Sequence, residues 1–452
     1  MAPRLPTGTS DPVSFTCTCP ASSSSGGGLV LLFYRYFSSP PVLIPLVHQT
    51  PAELAAFHTS LIEKHNLGGK LRIANEGFNI TVGGTREDIE AYMNACVEHW
   101  SFASLGLNNS SAEEGEKEKR RYEFFKPTTG GCRCVFGPGE ASVKITSEIT
   151  PMGVEGYRPR DWDIVQSLKP EEFHEKCLRS KNEDGEGKIM LLDVRNHYES
   201  RIGYFVDPRT GEKALRPGIR RFSQFPMYVK KYFGSHRNES GNGSVNGEEK
   251  ARGSREIMGY CTGGIRCEKS MRFLAENIDR KQGDKVFTLK GGIAAYLMWM
   301  DEEIREGKKK PEDSLFKGKN YVFDARGSMG LQEGEGKGEP VSSCHLCGKA
   351  EDRLSKCRSK GCHLILVVCG DCEEVGDPRC CEDCRDLDQA VIRDGEGEDK
   401  KVSRPVCMCE KVREVELWGG ERVKTQKTQA RRKGKRLEPS EEGIDIRIKI
   451  ID

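Results

Sequence analysis

One short stretch combines the residue types that are needed to hold a reactive sulfur anion. It runs from Tyr260 through Cys261, two glycines and Arg266 to Cys267. An alternating apolar run precedes it and apolar residues at helical spacing follow it, so we expect a buried strand, a tight turn and a helix. Unpaired backbone N–H groups, the helix dipole and the Arg266 guanidinium all favour an anion there. Cys261 is therefore predicted to ionise more easily than a free cysteine.

The backbone of the same turn is predicted to cradle that anion. Glycine lets the chain curl so that several amides face one point. The cradling residues are expected to be Thr262, Gly263, Gly264 and Ile265. The alternative is an inert, buried cysteine at a strand end, but a core thiol needs neither two glycines nor an arginine. Cys-x-x-x-x-Arg after a strand resembles the active loop of the rhodanese superfamily, whose cysteine carries a persulfide.

The composition limits the number of domains and the class of protein. The chain has 452 residues, 36% of them apolar and 31% charged, with a net charge of +2. This length predicts about two or three domains, and no apolar run is long enough to cross a membrane. There are 19 cysteines, and nine of them fall between Cys344 and Cys384, where Cys-x-x-Cys pairs cluster. That clustering indicates metal binding in a reducing compartment rather than the disulfides of a secreted protein.

The order of the predicted elements suggests two globular domains of different class. Residues 1–28 are rich in Ser, Thr, Gly and Pro and are expected to be disordered. Residues 29–150 give strand, helix, two strands and helix, then a polar loop at 108–121, which indicates an α+β domain of ferredoxin-like or acylphosphatase-like fold. Arg72, Asn75, Glu76 and Asn79 either meet RNA on an open sheet face or are ordinary turn and surface residues.

Alternating strands and helices follow a linker at 151–170. They predict a doubly wound, parallel α/β sheet over residues 155–310, with a disordered insertion at 234–253. Asp193 and Arg195 end one buried strand on the side where such sheets bind ligands. We expect them to position each other beside the Cys261 loop, and a purely structural ion pair is the alternative. Residues 317–326 are expected to form one strand that leads out of this domain.

A cysteine-rich module is predicted at residues 311–390. Nine cysteines lie there with spacings typical of tetrahedral zinc, and they suffice for two structural ions with one thiol left over. The predicted ligands are Cys344, Cys347, Cys357, Cys362, Cys369, Cys372, Cys380, Cys381 and Cys384. His345 and His363 are possible substitutes. Sequential and interleaved sharing of the cysteines both fit the spacing. No role follows for Cys17, Cys19, Cys132, Cys134, Cys407 or Cys409.

The remaining residues, 391–452, are expected to form a largely disordered basic tail that ends in a short strand. A solvated run of charges is the alternative to RNA binding, but a neighbouring zinc module favours contact with phosphates. The residues expected to contact RNA are Arg431, Arg432, Lys433, Lys435 and Arg436.

Several motifs together resemble the rhodanese-type tRNA uridine hydroxylases. They are the sequences at 73–79, 192–199, 260–269, 291–293 and 318–324, and the cysteine block. The resemblance spans roughly residues 29–390. It implies oxygen-dependent hydroxylation of the wobble uridine in the tRNA anticodon loop, giving 5-hydroxyuridine. Cys261, Arg266 and Cys267 match the family's loop residues.

The resemblance implies molecular oxygen as the co-substrate. The sequence contains no pattern for flavin, haem, nicotinamide or non-haem iron, so we expect sulfur to carry the chemistry. The expected location is the cytoplasm, with the plastid as the alternative. Two other functions compete with the hydroxylase. One is a sulfurtransferase that works through a Cys261 persulfide, and the other is a non-enzymatic factor that binds zinc and RNA.

Overall fold

A computed structural model of the chain describes residues 17, 19, 27–108, 113–137, 140–179, 188–233, 255–278, 283–333, 339–359, 362, 364–393, 407–418 and 445–449. The predicted insertion at 234–253, most of the N-terminal 28 residues and the five basic residues assigned to RNA lie outside these ranges.

An open sheet with helices on one face forms the first domain. Its elements are β1 (Gly28–Tyr36), α1 (Pro51–Lys64), β2 (Gly68–Ala74), β3 (Gly77–Thr85), α2 (Arg86–Glu98), α3 (Glu114–Phe125) and β4 (Glu140–Ile145). The strand order is β1-β3-β2-β4, with β4 parallel to β2 and the other neighbours antiparallel. Leu31 and Phe33 of β1 face the core with the helices, so the even-numbered residues of β1 face away.

Side chains at the helix starts explain where α1 and α2 begin. Thr50 Oγ1 accepts a hydrogen bond from the backbone N–H of Glu53 at 3.1 Å, and Thr85 Oγ1 accepts from that of Asp88 at 3.2 Å. Each satisfies one of the N–H groups that a helix leaves unpaired.

The polar loop predicted over residues 108–121 is wrong for most of its length, because α3 begins at Glu114. The same charges that suggested a loop pair along one helix face. Lys117 Nζ lies 3.1 Å from Glu114 Oε2, and Arg120 Nη2 lies 2.6 Å from Glu116 Oε1. Opposite charges three and four residues apart stabilise a helix, and Glu, Lys and Arg are good helix formers.

A four-stranded parallel sheet forms the second domain. Its elements are β5 (Gln166–Leu168), α4 (Pro170–Leu178), β6 (Lys188–Asp193), β7 (Gly203–Phe205), α5 (Phe225–Phe233), β8 (Arg255–Tyr260), α6 (Ile265–Asn277), β9 (Lys285–Leu289) and α7 (Gly292–Arg305). The order β5-β9-β8-β6 confirms the predicted parallel sheet. Ile257 and Met258, which are neighbours on β8, lie in separate cores on opposite faces. The predicted linker at 151–170 contains β5, an edge strand of this sheet.

Short strands and helices complete the chain. They are β10 (Phe316–Gly318), β11 (Asn320–Tyr321), β12 (Ser328–Met329), β13 (Leu354–Lys356), β14 (Ile365–Val367), α8 (Gly370–Val375), α9 (Glu382–Arg393), α10 (Met408–Trp418) and β15 (Asp445–Lys449). Antiparallel pairs join β7 to β10, β11 to β12 and β13 to β14. β15 is the predicted end strand, and it returns to pair antiparallel with β4 of the first sheet.

One continuous strand over residues 317–326 is also wrong. Gly318, with φ of +79°, separates β10 from β11, and this left-handed conformation breaks an extended chain. Beyond β11, the Asp324 carboxylate accepts from the backbone N–H of Arg326 at 3.0 Å and pairs with its guanidinium at 2.7 Å. That pairing forms a turn where the strand was expected.

Candidate active site and cysteine clusters

The Cys261 turn joins the carboxyl end of β8 to the start of α6. Gly264 adopts φ of +99°, a conformation that residues with a side chain rarely take. Its backbone N–H donates to Cys261 Sγ at 3.2 Å. A Cβ at Gly264 would stand 2.6 Å from the hydroxyl of Tyr34, so a larger residue would clash as well. Of the four residues predicted to cradle the sulfur, Gly264 donates its backbone N–H to it, and the backbone N–H groups of Arg266 and Cys267 also donate.

Opposing effects set the ionisation of Cys261. Burial would raise its pKa, since the side chain is fully buried. A hydrogen bond from the Cys267 thiol, the positive charge of Arg266 and backbone N–H groups outweigh burial and lower the pKa to about 6. Burial raises the pKa of Cys267 well above its usual value. At neutral pH the loop therefore pairs one thiolate with one thiol.

Arg266 is not free to bind a second anion, because Glu199 holds it. Each terminal nitrogen of the guanidinium lies 2.7 Å from a carboxylate oxygen of Glu199. Thr262 Oγ1 joins the network, accepting from Arg266 at 2.9 Å and donating to Glu199 at 3.1 Å. Glu199 is a site residue that the sequence analysis did not single out, although it belongs to the motif at 192–199. Its place in the turn after β6 was the signal that could have identified it.

The next β–α turn closes against the loop. The backbone N–H groups of Ile293 and Ala294 donate to the carbonyls of Cys261 and Thr262, each at 2.9 Å. Gly292 has φ of +66°, and a Cβ there would meet the Cys261 carbonyl oxygen at 2.4 Å. The start of α7 thus fixes the Cys261 loop from the side opposite α6.

Asp193 and Arg195 form a fully buried ion pair, as expected, with 2.6 Å between Arg195 Nη2 and Asp193 Oδ2. Arg195 also donates to the carbonyl of Gly203 at 2.6 Å and lies 5.9 Å from the ring centroid of Tyr260. Within the described residues no hydrogen bond joins either side chain to residues 261–267. These contacts favour a structural role at the end of β6, and the catalytic role stays a prediction.

Strand β1 of the first domain covers the loop. Leu32 would lie 2.9 Å from a Cβ at Gly263, and Tyr34 donates from its hydroxyl to Glu268 at 3.1 Å. Tyr36 donates to the carbonyl of Ile265 at 3.3 Å. The even-numbered residues of β1, which point away from the core of their own domain, therefore form a wall of the site.

Lys126 is a second site residue that the sequence did not reveal. It follows α3 with φ of +47° and is only 5% exposed. Burial lowers the pKa of Lys126 to about 8, although the neighbouring Cys261 thiolate acts in the opposite direction. Its ammonium lies 5.6 Å from the ring centroid of Tyr34. A buried cation therefore stands beside the sulfur anion.

A cavity of about 800 Å³ opens next to this group. It lies between the two domains and the segment after β11, and its size falls within the range of small-molecule sites. Residues lining it include Leu32, Lys126, Thr128, Thr262, Phe323 and Arg326. Cys261 itself is fully buried and does not line the cavity.

Part of the predicted RNA face joins the domains instead. Glu76 is 7% exposed and lies 2.9 Å from Lys269 Nζ, which also contacts Glu148 at 2.8 Å. Asn79 donates to the carbonyl of Ile149 at 3.3 Å. Arg72 and Asn75 are exposed, so these two of the four side chains remain available.

The nine predicted metal ligands form overlapping groups in which all sulfurs lie within 4.8 Å of one another. The groups are Cys344, Cys347, Cys369 and Cys372; Cys357, Cys362, Cys380 and Cys384; and Cys380, Cys381, Cys384 and Cys407. The first two interleave along the chain. Adjacent sulfurs lie 3.7 Å apart between Cys347 and Cys369 and 3.8 Å apart between Cys362 and Cys380. These values match the roughly 3.8 Å edge of a tetrahedron with zinc–sulfur bonds of about 2.3 Å.

Two features of these groups were not foreseen. Cys407 joins the third group, which also contains Cys384 of α9. Cys409 of α10 lies close to the same group, with its Sγ 3.2 Å from Cys380 Sγ. His345 is exposed and belongs to none of the groups within the described residues. A fourth group, Cys17, Cys19, Cys132 and Cys134, lies in the first domain.

Comparison with known proteins places the chain. The family profile described as "UPF0176 acylphosphatase like domain" matches residues 28–149, and "Rhodanase C-terminal" matches residues 317–385. A protein named tRNA uridine(34) hydroxylase from Acinetobacter baumannii (strain AYE) is 31% identical over 303 residues, covering 66% of this chain and 74% of that protein. The chain belongs to the tRNA uridine(34) hydroxylase family.

Other members and relatives of the tRNA uridine(34) hydroxylase family agree. The protein of that name from Chlamydia trachomatis serovar L2 is 28% identical over 334 residues, covering 74% of this chain and 82% of that protein. "Rhodanese-like domain-containing protein 6" of Arabidopsis thaliana is 30% identical over 340 residues, and this chain spans 50% of its length. The resemblance seen in the motifs and the predicted fold class are confirmed. None of the described helices combines the length and apolar character of a membrane span.

Proposed function

We propose that this chain hydroxylates carbon 5 of uridine 34 in tRNA, giving 5-hydroxyuridine, with Cys261 as its nucleophile. One observation carries the proposal: a thiolate whose pKa is lowered to about 6 lies beside a thiol, Cys267, next to an interdomain cavity of about 800 Å³. The names of the family's members supply the substrate, since the bacterial relatives are called tRNA uridine(34) hydroxylases.

The first step we propose is addition of the Cys261 thiolate to carbon 6 of the uracil. A sulfur–carbon bond forms, and the electron pair of the 5,6 double bond moves to carbon 5 and the adjacent carbonyl. Nucleophilic addition by an activated thiolate is ordinary cysteine chemistry. Lys126 would stabilise the negative charge that develops, because its pKa of about 8 leaves it mainly protonated at neutral pH.

Molecular oxygen then accepts the electron pair at carbon 5 and forms a carbon–oxygen bond. Loss of the carbon 5 proton expels the Cys261 sulfur and leaves a hydroperoxide. Reducing that hydroperoxide to a hydroxyl takes two electrons and two protons. The Cys261 and Cys267 thiols supply them by forming a disulfide, which releases one water. A cellular dithiol reductant restores both thiols for the next turnover.

Access to the sulfur requires movement and an unstacked base. Cys261 is fully buried and does not line the cavity, so side chains around it have to move before a pyrimidine can reach the sulfur from that space. A base in a single-stranded anticodon loop leaves its stack at low cost, which makes it a suitable substrate for a narrow site.

We also propose that zinc fills two interleaved sites in the cysteine block, with four thiolates each. Cys344, Cys347, Cys369 and Cys372 would hold one ion, and Cys357, Cys362, Cys380 and Cys384 the other. Zinc supplies structural cross-links to a region with few apolar residues. The thiolates and the dithiol reductant fit a reducing compartment, which we take to be the cytoplasm, with the plastid as the alternative.

The basic tail is proposed to contact tRNA phosphates. Its side chains Arg431, Arg432, Lys433, Lys435 and Arg436 carry five positive charges in six residues. Each phosphate contact contributes to the slope of binding against salt concentration. Deleting residues 421–436 should therefore reduce that slope, and an unchanged slope would show that the tail does not contact the RNA.

A sulfurtransferase is the second candidate, and the hydrogen bond from Gly264 N–H to Cys261 Sγ favours it. A cradle of amides would equally hold the persulfide that such an enzyme needs. The two functions differ in their product, since only the hydroxylase changes a uridine in tRNA.

Nucleoside mass spectrometry of tRNA from cells that lack the protein decides between them. We expect 5-hydroxyuridine to disappear and to return with the wild type but not with Cys261→Ser. Cys177→Ala is the matched control, because Cys177 is a buried cysteine of the same domain that lies outside the loop and outside every cysteine group among the described residues. Unchanged 5-hydroxyuridine with thiosulfate turnover would establish the sulfurtransferase. Rescue by Cys261→Ser would indicate a binding factor without catalysis.

A further inference from the structure

The four cysteines of the first domain lie together although they are far apart in the sequence. Cys17 and Cys19 form one Cys-x-Cys pair, and Cys132 and Cys134 form another more than a hundred residues later. Cys17 Sγ lies 3.1 Å from Cys132 Sγ and 3.4 Å from Cys134 Sγ, and the latter two are 3.2 Å apart. All four sulfurs lie within 4.8 Å of one another.

We propose that this cluster is a third zinc site, in which four thiolates from two Cys-x-Cys pairs bind one ion. The proposal is independent of the enzyme's reaction. Its ligand is a soft divalent ion that accepts tetrahedral sulfur, and zinc is the one that structural sites of this composition hold. These sulfur–sulfur separations far exceed the roughly 2.05 Å of a disulfide bond, so the thiols are gathered without being bonded in pairs.

The surroundings are built to present these sulfurs. The second pair lies in a 3₁₀ turn, Arg133–Phe136, that packs on the first sheet. A Cβ at Gly28 would meet Cys132 Cβ at 2.6 Å, and one at Gly83 would meet the Cys132 carbonyl at 2.9 Å, so glycine on both strands allows the close approach.

Zinc in this position would fasten the N-terminal segment to a wall of the active site. The same loop continues back to Thr128, which exchanges backbone hydrogen bonds with Val30 of β1 at 2.8 and 2.9 Å. Thr128 Oγ1 accepts from Arg326 at 2.8 Å, and both residues line the cavity. The ion therefore stabilises a rim of the cavity from outside it, without touching the reacting atoms.

The test uses the full-length protein purified without chelator. Elemental analysis should find one zinc ion fewer per chain in Cys132→Ser/Cys134→Ser than in the wild type. Cys17→Ser/Cys19→Ser should show the same loss. Because these two residues precede the first strand, their replacement should not disturb the domain, so this variant separates loss of ligands from misfolding. Cys177→Ala should keep the full zinc content.

Peptide mapping after alkylation of the native wild-type protein identifies which thiols hold the ion. We expect all four cysteines to resist alkylation until a chelator is added. Equal zinc content in wild type and both double variants would overturn the proposal. Alkylation of the four thiols without chelator would do so too, as would alkylation that needs a reductant instead, which indicates disulfides.

Discussion

Replacing Arg266 by glutamine tests the electrostatics on which the proposed reaction depends. The guanidinium is one of the groups that lower the pKa of Cys261 to about 6, acting against burial. At pH 7 this pKa gives about ten thiolates for each thiol, whereas a free cysteine with a pKa near 8.5 has about one thiolate for thirty thiols. The variant removes the positive charge and leaves the buried Glu199 carboxylate without its partner. Both changes disfavour a second anion nearby.

We expect Arg266→Gln to raise the pKa of Cys261 by about one to two units, which corresponds to roughly 1.4–2.7 kcal/mol. The Cys267 hydrogen bond and the loop amides remain, so the pKa should not return fully to that of a buried thiol. Glu199→Gln should leave the pKa as low as in the wild type or lower, because the uncompensated guanidinium then acts alone. The double variant should lie between the wild type and Arg266→Gln, since it replaces an ion pair by a neutral pair.

Ultraviolet absorbance of the thiolate across a pH titration measures these values, with Cys261→Ala subtracted to remove the other cysteines. The rate of tRNA modification should follow the same curve. Because the reactive form is deprotonated, activity should fall as the pH drops through about 6 in the wild type, and at higher pH in Arg266→Gln. A wild-type pKa near 8.5, or a pKa that Arg266→Gln does not change, would refute the electrostatic argument.

Three further changes test the packing of the Cys261 loop, the ion pairs of Lys269 and the zinc block. Gly292→Ala should lose activity and destabilise the fold by more than Gly211→Ala, measured by urea denaturation, because both glycines have positive φ (+66° and +69°) but only Gly292 would place a Cβ against the loop. Lys269→Met should cost about 3–5 kcal/mol of unfolding free energy, since it leaves the buried Glu76 and the half-buried Glu148 without their cation, while Lys290→Met at an exposed position should cost little. Cys369→Ser should remove one zinc ion per chain by elemental analysis, and no change in zinc would contradict the interleaved site.

The sequence predicted the strand–turn–helix conformation around Cys261 because that geometry is local. A strand, a turn with two glycines and a helix within about twenty residues determine where Cys261 lies and which amides face it. The parallel sheet followed from alternating elements for the same reason. The helix α3 was missed because its apolar periodicity is weak, and the ion pairs along its surface carry information that a hydropathy pattern lacks.

Contacts between segments that are distant in the chain could not be predicted from the sequence. Glu199 and Lys126 reach the loop from residues more than sixty positions away in the chain, and neither lies in a motif of spaced ligands. The cysteine partners show the same limit. Spacing alone allowed sequential or interleaved groups, and nothing in it connected Cys17 to Cys132, because only the folded first domain brings those sulfurs together.

The first domain thus contributes side chains to the candidate active site. Its strand β1 presents Tyr34 and Tyr36 to the loop. Lys126, the residue that follows α3, contributes an ammonium whose charge interacts with Cys261. A rhodanese loop alone already holds a sulfur anion, so what the first domain adds is a buried cation and one side of the cavity. Those are the elements that addition to a pyrimidine requires and that binding of a sulfane sulfur does not. The pairing of the two domains therefore favours a base-modifying enzyme over a sulfurtransferase.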